Sequence, residues 1–413
     1  MRFLYNFFIW AYNFAIGIAS LFNNKAALWV KGRRDIFQKI ENSLNPNERI
    51  IWFHCASLGE FEQGRPLIEK IKKENKDYKI FLTFFSPSGY EIRKNYEFAD
   101  YIFYLPSDSP GNAKRFVELV NPELVIFVKY EFWFNYFTQI KINNIPLYLI
   151  SGVFRPEQHF FKSWGSWQRR QLKNISYFFL QDDKSAKMLR GIGIENVMVT
   201  GDTRFDRVSE ILNEKADLPI IQNFKNNKTI FCVGSSWPPD EEIILDYFET
   251  IKPELKLIIA PHDISKSHIN EIKEKFQDFD IAVYSEAKED EDLKNKEILI
   301  IDSIGLLNKI YRYADIAYIG GGFGVGIHNL LEPAVYGIPI LYGPNHNHFR
   351  EAIEMSEGNG GFPIEAKEDY AATMKLLLND SDFYHKNAKL AGDYIKSNTG
   401  STQLIYDKIF TGV

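Results

Sequence analysis

The sequence predicts an α/β protein made of two successive doubly wound halves, and three observations carry that prediction. Short apolar runs alternate with amphipathic helical patterns along nearly the whole chain, as parallel sheets covered by helices require. The residues able to do chemistry fall just after those runs, where open α/β sheets bind ligands. The 413 residues suffice for two cores of ordinary size.

The elements justify this reading in order. From Phe3 to Phe22 no residue is charged, about the ~20 residues that a membrane-spanning helix needs. Asn6, Asn13 and Ser20 form a thin polar stripe down it, which leaves room for a helix lying in the membrane interface. A cleaved signal peptide and a buried core helix are the alternatives. Lys25, Lys31, Arg33 and Arg34 follow, against Arg2 alone before, so the rule of positive residues inside places the downstream chain in the cytoplasm. Strands are then expected at 50–54, 79–84, 101–104, 123–128, 146–151, 176–180 and 197–200, with helices between them. A second set begins with TIFCVGSS near 229 and continues at 255–262, 280–285, 297–302, 314–322 and 337–343. Both sets read as Rossmann-like. The expected divisions are an anchor or interfacial helix at 1–24, a first domain at 25–211, a polar linker at 212–227 and a second domain at 228–380. A last helix, within 381–413, is placed to cross back to the first domain.

Composition narrows the function classes. Hydrophobic residues at 45% and charged residues at 25% describe a globular protein, and a net charge of −5 gives no support for nucleic-acid binding. Cys55 and Cys232 lie far apart in apolar runs, so neither a disulfide framework nor a CxxC metal site is expected.

Chemistry concentrates at a few junctions. In HCASLGE, residues 54–60, a carboxylate, Glu60, follows small residues at the carboxyl end of a strand; a helix-start acid serving the macrodipole is the plainer explanation. In GSSWPPDEE, Ser235 and Ser236 precede a helix opened by Pro238 and Asp240, a pocket for phosphate or carboxylate or an ordinary N-cap. In GGGFGVGIHNLLEP the glycines allow close backbone approach, and Glu332, in the first turn of a helix begun at Asn329, is placed for the hydroxyls of a ribose.

Taken together, HCASLGE, EFW at 131–133, GDTRFDRV at 201–208 and the long GxHNxLEPAxxGxPxxxGP pattern resemble the Kdo transferases over nearly the whole chain. That resemblance implies a GT-B fold, two Rossmann-like domains facing a central cleft with an N-terminal membrane-associated helix. It also implies transfer of 3-deoxy-D-manno-oct-2-ulosonic acid (Kdo) from CMP-Kdo to a lipid A precursor of the lipid IVA type, at the cytoplasmic face of the inner membrane, in lipopolysaccharide biosynthesis. By motif, Glu60 matches the general base, and Glu131 and Arg204 match positions that stabilise the transition state. Contacts to CMP map to Pro261 and His262, to Gly305, Leu306 and Leu307, and to Asn329, Leu330, Leu331 and Glu332. The chain departs from the family pattern at three places: Ala260-Pro261-His262 where Pro-Arg-His is usual, Trp133-Phe134-Asn135 for WPN, and Leu306 for an acid.

No metal-binding acidic triad stands beside these motifs, so a metal-free inverting displacement without cofactor is expected, with Arg204, the Ser235/Ser236 turn and the helix start at Asn329 receiving the departing phosphate. Plainer roles are a salt bridge from Arg204 to Asp202 or Asp206, a surface charge for Glu131, and a strand-end histidine for His262. The helix position of Glu60 is expected to help keep it ionised. The aromatic and basic stretches 129–137 and 160–174 suit either an amphiphilic acceptor or core packing. A sugar-nucleotide epimerase of the same architecture and a catalytically inactive nucleotide-sugar-binding protein are the alternatives.

Overall fold

The computed structural model describes residues 1–213, 217–251, 255–288, 292–358 and 360–412. The chain divides into two compact units, Met1–Arg207 with Thr399–Val413, and Val208–Asn398. Each is built on a seven-stranded sheet in which every recorded strand pair is parallel.

In the first unit the strands are β1 (Arg49–Cys55), β2 (Tyr78–Phe84), β3 (Tyr101–Tyr104), β4 (Leu124–Val128), β5 (Leu147–Gly152), β6 (Tyr177–Leu180) and β7 (Val197–Val199), in the order β3-β2-β1-β4-β5-β6-β7. The direction of winding reverses between β1 and β4. Ile51, Trp52, Phe53, Ile126 and Phe127 are fully buried, as strands covered by helices on both faces demand. In the second unit β8 (Thr229–Ser236), β9 (Leu255–Pro261), β10 (Ile281–Val283), β11 (Ile298–Ile300), β12 (Ile316–Ile319), β13 (Ile340–Tyr342) and β14 (Gly361–Pro363) take the order β10-β11-β9-β8-β12-β13-β14, with the reversal between β8 and β12.

Several elements differ from the sequence reading. The strand expected at 314–322 stops at Ile319, because Gly320 and Gly321 have no side chains to pack and Gly321 has φ +91°. Strand β14 was not expected; three residues opening on a glycine carry no periodic signal. Within the expected linker, residues 214–216 lie outside the described residues, and Pro219–Lys225 forms a helix that buries Ile221 and Phe224. The single last helix is two, Ser381–Asn398 and Ser401–Phe410, broken where Gly400 takes φ +106°.

The second of these belongs to the first unit. Its start is held by Asp206, whose carboxylate accepts from Gly400 N, Thr402 N and Thr402 Oγ1, each at 2.6 Å. Asp206→Ala is therefore expected to cost about 2 kcal/mol and to speed proteolysis near Gly400, read as a fall in Tm and a new cleavage product.

The N-terminal segment is not one straight span. Helix α1 (Arg2–Ala19) and helix α2 (Asn24–Arg33) meet at 120°, and no single helix among the described residues is long and apolar enough to cross a membrane. The Asn23 side chain accepts from Lys25 N and Ala26 N and so starts a new helix at the bend. One edge of α1 docks on its own unit. The Tyr5 hydroxyl donates to Asp108 (2.5 Å), Asn135 Nδ2 donates to Asn6 Oδ1 (2.9 Å), and the Tyr12 ring stacks on Phe85. The rest is bare: Phe3, Phe7, Phe8, Trp10, Phe14, Leu21 and Phe22 are exposed, Phe3 at 85% and Phe22 at 87%. Helix α3 (Ile36–Ser43) then turns its Ile36 and Ile40 into the core.

Candidate active site

In the first unit the site grows from the reversal between β1 and β4. After Cys55 the chain leaves β1 and Ser57 begins helix α4 (Leu58–Glu74), but the Ser57 side chain caps nothing. Glu60 does that work, reaching back so that its carboxylate accepts from Ala56 N and Ser57 N. The helix-start role is thus real. It does not keep Glu60 ionised. Burial, with Glu131 adding its charge, outweighs the two N–H donors and Lys129 and pushes the Glu60 carboxyl up to about 8. The expectation that its helix position would hold it charged is corrected on that ground: Glu60 is only 9% exposed, and desolvation is the larger effect.

Glu131 follows β4 across the same reversal, after Lys129 turns the chain at φ 68°. Beneath it lies a buried chain of hydrogen bonds. Trp52 Nε1 donates to Thr83 Oγ1 (2.8 Å), and Thr83 Oγ1 donates to the Phe53 carbonyl (3.2 Å). Trp133 Nε1 donates to His54 Nε2 (3.1 Å), which makes Nε2 the acceptor and puts the proton on Nδ1, 2.9 Å from Thr83 Oγ1. His54 is therefore neutral, in keeping with burial drawing its pKa down against the opposing pull of Glu131. The Glu131 carboxylate lies 3.6 Å from His54 Nε2. His54 and Trp133 position the turn that carries Glu131; both stand inside recognised motifs, yet nothing in the sequence pairs them.

Arg204 takes one of its plainer roles, an ion pair with Asp202: Nε donates to Oδ2 (2.8 Å) while the backbone N–H of Arg204 donates to Oδ1 (2.9 Å). That loop is fastened to α4. Gln63 Nε2 lies 3.2 Å from Asp202 Oδ1, and Thr203 Oγ1 donates to the Gln63 carbonyl (2.5 Å). Gln63 stands three residues after Glu60, on the same side of α4, and links the Arg204 loop to the helix that carries Glu60. Sequence reasoning missed it because one glutamine on an amphipathic helix gives no signal.

The aromatic stretches mostly fill the core. Phe134, Tyr136, Phe137 and Phe160 are buried, whereas Trp164 is 56% exposed. The packing reading wins for the first four.

In the second unit the reversal between β8 and β12 collects the other predicted residues. Ser235 sits at φ 55°, and Gly320 N donates to the Gly234 carbonyl (2.9 Å). A Cβ on Gly320 would fall 2.3 Å from the Ser235 carbonyl oxygen, so only glycine lets the two loops touch. The Ser236 hydroxyl donates to buried Glu241 (3.0 Å), which also meets His268 Nε2 (3.0 Å) and Lys275 Nζ (3.4 Å). Ser236 thus shapes the turn from below. Asp240 joins the loops: Oδ2 accepts from Trp237 N and Gly321 N (2.9 Å each) and Oδ1 from the Tyr318 hydroxyl (2.8 Å).

Pro261 closes β9, and His262 N donates to the Ser236 carbonyl (2.9 Å). The His262 ring stacks between Trp237 (4.6 Å) and His328 (4.8 Å). Where the family arginine is absent, an indole and two imidazoles form a layered wall. Burial, and then His262, lower the pKa of His328. Asn329 Oδ1 accepts from Leu331 N (3.1 Å) and its Nδ2 donates to Glu332 (3.0 Å). Leu330 and Leu331 are fully buried, so their side chains serve the core. Gly305, at φ 86°, and Leu306 lead into the short helix Leu307–Ile310, and Leu307 borders Gly234. All the predicted donor-site residues therefore gather at the carboxyl end of the second sheet. Among the described residues no group of three or more His, Cys, Asp and Glu could hold a metal ion.

Residues 31–207 match the family described as 3-deoxy-D-manno-octulosonic-acid transferase (kdotransferase). The 3-deoxy-D-manno-octulosonic acid transferase of Aquifex aeolicus is 28% identical over 86% of this chain and 94% of its own. That of Haemophilus influenzae is 27% identical over 89% of this chain and 88% of its own. Two solved structures share the fold at 15% identity: UDP-GlcNAc 2-epimerase from Neisseria meningitidis (TM-score 0.62, 88% of this chain, 100% of that one) and a glycosyltransferase from Rickettsia africae (TM-score 0.58, 89% and 100%). The first unit thus carries a domain that matches the kdotransferase family, and the chain, with its two parallel sheets of GT-B type, is similar to Kdo transferases over most of its length, which makes it a glycosyltransferase.

Proposed function

We propose that the protein transfers Kdo from CMP-Kdo to a hydroxyl of a lipid A precursor of the lipid IVA type by a single, inverting displacement that needs no metal or cofactor. The observation that carries this reading is Glu60: a buried carboxylate at the carboxyl end of β1, across the sheet reversal from Glu131, with its pKa raised to about 8. In the proposed step the ionised Glu60 takes the proton of the attacking hydroxyl as its oxygen bonds to the anomeric carbon. The bond to the CMP phosphate breaks, and CMP leaves with the electron pair. Arg204 and Glu131 stabilise the charge redistribution, and the Ser235/Ser236 turn, His262 and the Asn329–Glu332 helix start hold the nucleotide. The bared aromatic face of α1 lies in the plane of the inner membrane on its cytoplasmic side, where acceptor lipid is found.

The test uses purified protein, CMP-Kdo generated in situ and tetraacylated lipid A precursor, with products read by mass. Addition of Kdo is expected, in chelator as in buffer. No mass gain would overturn the reading, and a gain that vanishes in chelator would overturn its metal-free part. A UDP-GlcNAc 2-epimerase activity, for which the shared fold alone speaks, would appear with UDP-GlcNAc and no lipid.

A further inference from the structure

A cavity of about 680 Å³ opens in the first unit between α1, α2, the start of α3 and the turn ahead of the helix Pro110–Val120. Its lining includes Asn13, Trp29, Arg34, Asp35, Asn112 and Arg115, and none of the residues of HCASLGE or EFW. Three independent features mark it as a binding site.

The first is charge. Arg33, Arg34 and Arg115 line it against a single carboxylate, Asp35. Arg33 is spent on structure: its guanidinium lies 3.8 Å over the Trp29 ring and donates to the carbonyls of Leu105 (2.8 Å), Trp29 (3.2 Å) and Phe85 (2.8 Å). Burial draws its pKa down to about 9, so it remains a cation at neutral pH. Arg115 lies over the Phe37 ring at 4.5 Å, and neither it nor Arg34 has a carboxylate partner among the described residues. Two cations are thus left for a ligand.

The second is an unmet hydrogen bond. Trp29 is 8% exposed, and among the described residues its buried indole N–H has no acceptor and Asn13 Oδ1, also buried, has no donor. A buried N–H left unpaired is destabilising, and a ligand oxygen seated against Trp29 would relieve it. The third is the rim. Residues Asn13 and Gly17 bring α1 to the cavity, and the neighbouring Phe14, Ile18 and Leu21 are exposed at 61%, 50% and 75%. Cationic donors beneath a bare apolar rim match an anion attached to hydrocarbon.

We propose that this cavity holds the phosphate headgroup of an anionic bilayer lipid, with its acyl chains lying along the bare face of α1. The bound lipid fixes α1 and α2 on the first unit and orients the unit against the membrane. The proposal does not depend on the sugar-transfer reading.

The test follows the indole N–H signals of full-length protein labelled with 15N-tryptophan, with Trp29→Phe assigning Trp29. Short-chain phosphatidylglycerol, short-chain phosphatidylcholine and inorganic phosphate are titrated separately, the lipids below their micellar concentrations. Phosphatidylglycerol is expected to shift the Trp29 signal, phosphatidylcholine and phosphate to act at least ~10-fold more weakly, and R34Q/R115Q to weaken phosphatidylglycerol by about 30-fold. R34Q and R115Q singly serve if the double variant fails to fold. The proposal is overturned if phosphatidylglycerol leaves the signal in place, as a water-filled cavity would, or if phosphate alone matches it, as a free-anion site would. Equal response to phosphatidylcholine, unchanged binding in the arginine variants, or a shift with the sugar acceptor alone would overturn it as well.

Discussion

Glu60→Gln is expected to lower the rate of Kdo transfer by about 10²- to 10⁴-fold, the usual contribution of a positioned general base, while leaving nucleotide binding in the second unit intact. The pH dependence is the sharper signature. A base must be ionised, and burial together with Glu131 holds Glu60 protonated up to about pH 8. The wild-type rate should therefore climb with pH through the neutral range and level off above about 8, while the residual rate of Glu60→Gln stays flat. A wild-type profile already level between pH 6 and 8 would remove Glu60 from the role of base. Stability moves the other way. A carboxyl whose folded pKa lies above its unfolded value of 4.5 contributes stability below 4.5 that is lost as pH rises to about 8, an amount of up to roughly 5 kcal/mol. Asp108, raised to about 6 by burial, adds a loss of the same sign over a lower window. The informative quantity is the difference: Glu60→Gln should match wild type in acid and exceed it in Tm above pH 8, where the buried charge beside Glu131 is gone.

Asp240→Ala is expected to be the most damaging single change in the second unit. The side chain is 1% exposed, and its loss strands Trp237 N, which is part-buried, and Gly321 N and the Tyr318 hydroxyl, which are buried. Each costs roughly 1–3 kcal/mol alone; as they share one acceptor, about 3–5 kcal/mol is expected in total. Since a chain of two units need not unfold in one step, the measurement is amide exchange resolved by unit. Exchange should accelerate in β8, β12 and the loops after them, with β1 and β4 unchanged. Asp240→Asn, which keeps an acceptor oxygen, should recover part of the loss. Affinity for a cytidine nucleotide should fall in parallel, because Asp240 ties the Ser235 turn to the glycine loop. Protection unchanged in β8 and β12 would show that the loops hold without it.

How much of this was legible beforehand can be read from particular residues. Thirteen of the fourteen strands follow apolar runs that are visible as such, because strands covered by helices on both faces are mostly apolar. The positions of Glu60, Ser235 and Asn329 after such runs were legible for the same reason. Three things were not. The α1 segment reads as a span by composition, yet Tyr5 and Asn6 bond to Asp108 and Asn135, more than a hundred residues away, and those bonds lay it on its own unit. Ser236 reads as a ligand donor, yet its hydroxyl is taken by Glu241. Gln63 and Asp240 read as ordinary helix residues, yet they tie one loop to another.

By itself, then, the sequence determined the two parallel sheets, their order along the chain, the resemblance to Kdo transferases and the loops on which its motifs lie, since all of these depend on local apolar periodicity and on contiguous motifs. Only the tertiary structure decided the ionisation of those loops and their partners. Glu60 caps its own helix, as an acid in that position should, and the chain around it nonetheless keeps it protonated. Desolvation and the charge of Glu131 act through space, and no stretch of HCASLGE records either.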